Sequence, residues 1–199
     1  MANVVARVGV RWRVAVVDDH GPSRADVRAA VEAAGGEIVG EAARGAEALA
    51  MIDRGRPDVA IFAVGLPDGD GVAAAAGVTS TAGCPVVLFT SHTSDELVAR
   101  AHAGGVMAYL LKPLRAAELA PTLDLAVARF AETRRLRQTL EERKVIERAK
   151  GRIMDRLSLT EDEAFRRLRR AAMNSRRPMV EIARALLVSE SVTEDLPRI

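Results

Sequence analysis

Polar residues of the types that bind metal ions and phosphoryl groups lie directly after short apolar runs in the first half of the sequence: Asp18, Asp19, Thr90 and Lys112. Neighbouring carboxylates are suitable ligands for Mg²⁺, whereas a hydroxyl and an ammonium group bind phosphoryl oxygens. In a parallel sheet, ligand-binding groups meet at the C-terminal ends of the strands. The positions of these residues therefore predict a crevice with the chemistry of a divalent-metal and phosphoryl site.

Five apolar runs have the continuity of strands that are covered on both faces, as in a parallel sheet. These runs are Val14–Val17, Ile38–Val39, Val59–Val64, Val86–Phe89 and Ala108–Leu111. Stretches with helical spacing separate or follow them, at residues 22–34, 45–55, 70–80, 94–103 and 115–130. Five strand–helix repeats predict an α/β fold with a five-stranded, doubly wound parallel sheet.

Composition restricts the class of protein. Of the 199 residues, 49% are hydrophobic and 28% are charged, which is typical of a globular chain. The single cysteine, Cys84, excludes an internal disulfide framework and a cysteine-rich zinc site. Residues 1–13 lack the compact apolar segment of a signal peptide, and no apolar run is long enough to cross a bilayer. We therefore predict a cytoplasmic protein without a membrane partner.

The two parts of the chain differ in charge. Residues 1–130 contain 12 cationic and 15 acidic side chains, a net charge of −3, whereas residues 131–199 contain 17 and 12, a net charge of +5. A basic C-terminal part favours a polyanionic partner. Arginines on solvated helix faces would give the same asymmetry, so charge alone leaves both interpretations open.

Four motifs in residues 12–122 resemble the receiver domain of two-component response regulators. They are Val16-Val17-Asp18-Asp19, Leu66-Pro67-Asp68-Gly69-Asp70-Gly71, Phe89-Thr90-Ser91 and Ala108-Tyr109-Leu110-Leu111-Lys112-Pro113. The resemblance implies a flavodoxin-like sheet. It also implies a phosphoacceptor aspartate at the end of the third strand, four residues before the proline of the Pro-x-x-Asp-Gly turn. Counting back from Pro67 gives Ala63, so the nucleophile is missing.

An alanine at this position changes what the domain can do. Alanine neither attacks a phosphoryl donor nor ligates a metal, so we predict a pseudo-receiver without enzyme activity, bound metal or cofactor. We expect Lys112 to pair with Asp18 or Asp19 in place of the metal. Asp58 and Asp68 are poor surrogate acceptors, because one lies at the wrong end of the strand and the other lies past the proline.

By the same resemblance, Thr90 and Tyr109 occupy switch positions that respond to a phosphoryl group. Without that group, we expect Thr90 to cap a loop and Tyr109 to pack at the surface, on a face that can still bind a partner protein. His20, His92 and His102 show no metal-ligand spacing.

The C-terminal third is predicted to be helical. A linker helix that favours a homodimer is indicated by a stripe with three–four spacing: Leu119, Leu123, Ala126, Phe130 and Thr133, continued by Leu136 and Leu140. Three short helices follow, near 141–157, 160–173 and from 178 onward. The first is expected to bury Val145, Ile146, Ala149, Ile153 and Leu157. The apolar face expected for the second helix is Ala164, Phe165, Leu168, Ala171 and Ala172.

Residues 144–188 resemble an ANTAR domain, the RNA-binding three-helix module of transcription antitermination regulators. The resemblance lies in Ile146–Met154, Leu159–Phe165, Leu168–Met173 and Ile182-Ala183. It implies that dimers bind paired stem-loops in nascent transcripts and so prevent a terminator hairpin from forming. We therefore divide the chain into an N-terminal tail (1–11), a receiver-like domain (12–122), a helical linker (123–143), an ANTAR domain (144–190) and a C-terminal tail (191–199).

Cationic and amide side chains in this module are the candidate RNA contacts, because they bind phosphates and unpaired bases. With one helix glycine they form the predicted interface: Lys150, Gly151, Arg167, Arg170, Asn174, Arg176 and Arg177. A glycine inside a helix costs about 1 kcal/mol relative to alanine, so Gly151 suggests close approach of another helix or of nucleic acid. Several of these arginines could instead be solvated or pair with the nearby acids Glu161, Asp162, Glu163 and Glu181.

Two other functions remain open on the sequence. Basic helices also follow receivers in DNA-binding response regulators, although the Ala149-Lys150-Gly151 and Glu163-Ala164-Phe165 segments fit the RNA module better. A scaffold protein that no longer binds nucleic acid would have a basic face neutralised by its own acids. An enzyme is the least favoured class, because the position suited to chemistry lacks its nucleophile.

Overall fold

The computed structural model describes residues 11–194, including the side chains of residues 11–189. The predicted tails, residues 1–11 and 191–199, lie largely outside this range. The chain forms two compact units, and the boundary between them falls between Glu132 and Thr133. None of the helices in the described range is both long enough and apolar enough to span a membrane.

A five-stranded parallel sheet forms the centre of the first unit. Its strands are β1 (Arg13–Val17), β2 (Glu37–Ala42), β3 (Val59–Ala63), β4 (Val86–Thr90) and β5 (Ala108–Leu111). They lie in the order β2-β1-β3-β4-β5, so the chain winds first to one side of β1 and then to the other. This confirms the predicted doubly wound fold.

Helices alternate with these strands along the chain. They are α1 (Gly21–Ala33), α2 (Ala48–Gly55), α3 (Gly71–Thr81) and α4 (Asp95–Ala103), and α5 (Ala116–Leu157) follows β5. A 3₁₀ turn at Gly45–Glu47 precedes α2, and a two-residue ladder joins Gly65–Leu66 to Gly69–Asp70.

The core lies on both faces of the sheet, because alternate residues of a strand point to opposite sides. Every residue of β3 and β4 is buried. On one face, Val16 and Ile61 pack in a cluster with Leu123 of α5. On the other, Phe62 and Leu88 pack in a second cluster. Burial on both sides explains why these strands are continuous apolar runs in the sequence.

One glycine fixes the chain directly after β3. A Cβ atom at Gly71 would overlap the carbonyl oxygen of Ala63, so only glycine allows the backbone to approach this closely. The backbone N–H of Gly71 donates to the carbonyl of Val64 at 2.8 Å. The start of α3 is therefore held against the end of β3, where the predicted pocket lies.

The second unit consists of the C-terminal part of α5, together with α6 (Glu161–Ser175) and α7 (Met179–Glu194). The predicted linker is helical, but the prediction of a separate short helix beginning near residue 141 was wrong, because α5 continues without a break from Ala116 to Leu157. No glycine or proline occurs between residues 122 and 150 to end it. Helix α7 continues to Glu194, inside the predicted C-terminal tail.

The core of the second unit is small and rich in alanine. Its buried members are Ala149, Ile153, Ala164, Leu168 and Ala183. Helix α6 buries only a narrow stripe, which is completed by Ala172.

Three residues expected in this core are exposed instead. The exposed fraction is 44% for Leu157 and 37% for Phe165, and Ala171 is also exposed. At about 100° per residue, Phe165 and Ala171 lie just outside the two edges of the buried stripe of α6. Leu157 is the last residue of α5, at the turn that leads into α6.

Candidate receiver pocket and nucleic-acid interface

The first predicted site lies where the C-terminal ends of the strands meet. Asp18 follows β1 and is only 1% exposed, and Lys112 follows β5. The Lys112 Nζ atom lies 2.5 Å from Asp18 Oδ2, and the backbone N–H of His20 donates to Asp18 Oδ1 at 2.9 Å. The expected pairing of Lys112 with one of the two aspartates is confirmed, and it neutralises a buried carboxylate.

The end of β3 lies beside Asp18. Val17 and Phe62 are partners in the β1–β3 ladder, so the next residues, Asp18 and Ala63, occupy neighbouring strand ends. Ala63 is buried, whereas Asp19 is exposed. Within the described range, no three His, Cys, Asp or Glu side chains are grouped so as to hold a metal ion. With one carboxylate tied to an ammonium group and an alanine beside it, these residues do not fit a Mg²⁺ site.

Asp58 and Asp68, which were considered as alternative phosphoacceptors, each accept hydrogen bonds from backbone N–H groups. The Asp58 carboxylate accepts from the N–H of Arg13 at 2.8 Å. The Asp68 carboxylate accepts from Ala46 at 2.9 Å and from Gly45 at 3.0 Å, and these hydrogen bonds hold the pKa of Asp68 below its ordinary value. Each acid fixes a loop, which argues against a role as a phosphoacceptor.

The two predicted switch positions, Thr90 and Tyr109, differ in exposure. The hydroxyl of Thr90 is buried and donates to the carbonyl oxygen of His92 at 2.8 Å, so it caps the loop after β4 as expected. Tyr109 is 51% exposed, beside an open groove that apolar side chains such as Val98 and Leu125 line. Tyr109 therefore belongs to the surface of the unit.

The predicted basic interface lies on the exposed side of α6. Because α6 buries the stripe that contains Leu168, Arg167 and Arg170 point away from the core and are exposed. Arg176 ends the helix in the left-handed conformation, with φ of 52°, and Arg177 follows it. None of these four arginines forms a salt bridge with another described residue.

Lys150 has different surroundings from these arginines. Only 7% of it is exposed, and its Nζ atom lies 2.6 Å from Glu161 Oε1 and 2.8 Å from Glu147 Oε2. The hydrogen bonds to Glu147 and Glu161 raise the pKa of Lys150 above its ordinary value. This ammonium group joins α5 to the first turn of α6, so it is less available to phosphates than the arginines are.

Gly151 follows Lys150 on α5 and is half-buried. A Cβ atom at Gly151 would meet no atom of the described chain within 4 Å. Close packing inside the module therefore does not explain why a glycine occurs here. Of the two explanations given above, close approach by a molecule outside the described chain is the one that is left.

The start of α6 is stabilised by hydrogen bonds to two ionised carboxylates, those of Glu161 and Glu163. The Glu163 carboxylate accepts from the backbone N–H of Thr160 at 2.9 Å and from its hydroxyl at 2.8 Å. These two bonds lower the pKa of Glu163, and the hydrogen bond from Lys150 lowers the pKa of Glu161. Both carboxylates therefore favour the folded state in their ionised form.

We expect the second unit to lose stability when acid protonates these carboxylates. Because both folded-state pKa values are lowered, the stabilisation is complete above the ordinary glutamate pKa of 4.5 and is lost as the pH falls through the folded values. Urea unfolding, followed by circular dichroism of the helices from pH 7 to pH 3, measures the loss. The double variant Glu161→Gln/Glu163→Gln should be less stable at pH 7 and less sensitive to acid. The control is Asp162→Asn, which removes one negative charge from the same turn of α6. Its stability should depend on pH in the same way as that of the unmodified protein.

Comparison with known proteins agrees with this architecture. Residues 14–124 match the response regulator receiver domain, and residues 134–187 match the ANTAR domain. The signal receiver domain of a modulated diguanylate cyclase from Desulfovibrio desulfuricans G20 superposes with a TM-score of 0.57 and 28% identity, over 61% of this chain and 98% of that chain. The protein is therefore a response regulator, and it belongs to those that carry an ANTAR domain.

Similarity to a known transcriptional regulator extends over nearly the whole chain. The transcriptional regulatory protein PdtaR of Mycobacterium tuberculosis (strain CDC 1551 / Oshkosh) is 36% identical over 96% of this chain and 96% of its own length. The DNA-binding transcriptional activator DevR/DosR of Mycobacterium tuberculosis (strain ATCC 25618 / H37Rv) is 37% identical over 54% of this chain and 51% of its own length. The similarity over the full length is thus to a transcriptional regulator.

The sequence interpretation missed one cluster near the start of the chain. The Trp12 indole N–H donates to Asp124 Oδ1 at 3.1 Å, and the guanidinium of Arg11 lies 4.1 Å from the Trp12 ring centre and pairs with Asp124. The cluster fastens the segment before β1 to α5. A tryptophan two residues before the first apolar run was the available signal.

Proposed function

We propose that this chain is an RNA-binding transcription antitermination regulator. It binds paired stem-loops in nascent mRNA through the second unit and prevents an overlapping terminator hairpin from forming. The observation that carries the proposal is the set of exposed α6 arginines that form no salt bridge within the described chain. Guanidinium groups with no acidic partner suit phosphates and unpaired bases.

Within this interface, Arg167, Arg170 and Arg176 supply phosphate contacts, together with Arg177 and Asn174. Gly151 leaves room for a nucleic-acid backbone, because its side of α5 is open. We assign Lys150 a supporting role, since it holds the start of α6 through Glu161.

The receiver unit acts without phosphorylation. Ala63 stands in the phosphoacceptor position, and Lys112 already neutralises Asp18. Binding of a regulatory protein or a change of oligomeric state then controls RNA binding, and the face around Tyr109 is the proposed surface for it. The protein works by stoichiometric binding in the cytoplasm, with no catalytic turnover.

A homodimer is the proposed active form. Leu136 and Leu140 on α5 are 53% and 59% exposed, and they lie four residues apart on one side of the helix. Exposed leucines at this spacing form the contact stripe of paired helices. Sedimentation of the full chain distinguishes the dimer from a monomer.

Crosslinking of the protein to cellular RNA, followed by sequencing of the bound fragments, tests the proposal directly. We expect enrichment of tandem short hairpins that overlap terminators. Recovery of RNA without common structure contradicts antitermination. Tight binding of duplex DNA in place of these hairpins would favour the DNA-binding alternative.

Removal of two arginines should weaken this interaction strongly. We expect Arg167→Ala/Arg170→Ala to lower affinity for the enriched hairpin RNA by at least about tenfold, because each lost contact involves a charged donor. The slope of affinity against salt concentration should also fall by about one unit per arginine. Titration by fluorescence anisotropy at several salt concentrations measures both quantities.

The matched control is Arg134→Ala/Arg135→Ala, which removes the same charge from exposed positions of α5. It should keep most of the affinity. Equal loss in both double variants would mean that total charge, and not the α6 face, determines binding. Salt-insensitive binding by the unmodified protein would favour the scaffold alternative.

A further inference from the structure

The exposed face of α6 contains two large apolar side chains among its arginines. Phe165 is 37% exposed and Met173 is 69% exposed, although both belong to a helix with a buried stripe available. Phe165, Arg169 and Met173 are spaced four residues apart, so they form one row along the helix. Arg166 and Arg170 form the next row around the helix. Apolar side chains thus lie inside a cationic surface.

This combination is informative because the second unit has few aromatic residues. Phe165 is the sole aromatic residue after Phe130 in the sequence. A face made for phosphates alone would gain nothing from an exposed phenyl ring. Single-stranded nucleic acid, in contrast, is held by aromatic rings that stack on bases beside cations that bind the backbone.

From this arrangement, which rests on the function proposed above, we infer that Phe165 is the stacking platform for one unpaired base of the hairpin loop. Met173 extends the apolar row beyond Arg169, and the neighbouring arginines hold the phosphates on either side of that base. Because the second unit has a single aromatic ring, each copy of the chain stacks only one base in this way. Phe165 therefore contributes to the choice of loop, whereas the arginines contribute affinity for any RNA.

Salt dependence separates the two contributions. Stacking releases no counterions, so Phe165→Leu should weaken binding of the enriched hairpin RNA by about 5- to 150-fold at every salt concentration. The salt slope should stay unchanged, unlike that of the double arginine variant. Phe165→Tyr keeps the aromatic ring and should restore the affinity, which controls for any effect of the substitution on folding.

Placement of 2-aminopurine at each loop position in turn identifies the stacked base. We expect fluorescence quenching at one position on binding of the unmodified protein, and loss of that quenching with Phe165→Leu. Unchanged affinity and quenching in Phe165→Leu overturn the inference while leaving the proposed function intact. A changed sedimentation coefficient of Phe165→Leu without RNA also overturns it, because Phe165 would then contact a second copy. Failure of the unmodified protein to bind the hairpins overturns both.

Discussion

Replacing Lys112 with methionine should lower the free energy of unfolding of the receiver unit by about 3 kcal/mol. The ammonium group of Lys112 is the cationic partner of Asp18, which is 1% exposed. Without it, a carboxylate remains buried without a compensating charge. The expected loss of stability is at the lower end of the range for a broken buried ion pair, because 23% of the Lys112 side chain is exposed to solvent. Methionine preserves the apolar stem, so the change is mainly electrostatic.

Trp12 makes the measurement specific to this unit. It is the sole tryptophan of the chain and is 4% exposed, so its fluorescence reports urea unfolding of the first unit alone. The control is Asp18→Asn/Lys112→Met, which removes both charges and retains an oxygen that can accept from His20. It should be more stable than Lys112→Met. Equal stability of Lys112→Met and the unmodified protein would show that solvent, and not Lys112, compensates Asp18.

Ala63→Asp should convert the receiver unit from inert to phosphorylatable. The unmodified protein should keep its intact mass after incubation with Mg²⁺ and acetyl phosphate, because alanine offers no nucleophile. An aspartate at the end of β3 would lie beside Asp18 and near Asp19, which completes the set of carboxylates that Mg²⁺ requires. We expect the variant to gain the mass of one phosphoryl group.

Thermal unfolding gives a second test of the same substitution. Without Mg²⁺, Ala63→Asp should be less stable than the unmodified protein, because two carboxylates then share one ammonium group. Added Mg²⁺ should restore its stability and leave that of the unmodified protein unchanged. Ala63→Asn has the same shape without the nucleophile and should gain no mass. A phosphoryl group on the unmodified protein would contradict the assignment of Ala63.

The sheet was predictable because burial on both faces leaves a direct signature in the sequence. The central strands β1, β3 and β4 each contain a short continuous apolar run, and the positions of Asp18 and Lys112 at strand ends follow from the topology of a parallel sheet. Their pairing was predictable too, because a buried carboxylate requires a counter-charge. The hydrogen bonds of Asp58 and Asp68 to backbone N–H groups were not predictable, because they depend on loop paths that the sequence pattern does not specify.

The helical part was predicted less completely, for two physical reasons. The linker helix was expected, but the break predicted near residue 141 is absent, because the polar residues there include no glycine or proline to end α5. The surroundings of Lys150 depend on where α6 begins relative to α5, which brings Glu161 to its ammonium group. The sequence does place Glu147 three residues before Lys150, a spacing that allows pairing on one helix face.

The alanines in the core of the second unit determine how mutations can damage it. Ala149, Ala164 and Ala183 are each 0% exposed where the helices pack. An alanine has almost nothing to lose by truncation, so the cavities that inactivate leucine-rich cores are not the main hazard. Added methyl groups are the main hazard at these positions, because overpacking typically costs about 1–3 kcal/mol of stability and pushes the helices apart. These three positions are therefore tolerant of losing atoms and vulnerable to gaining them, and valine in place of any of these alanines should destabilise the second unit.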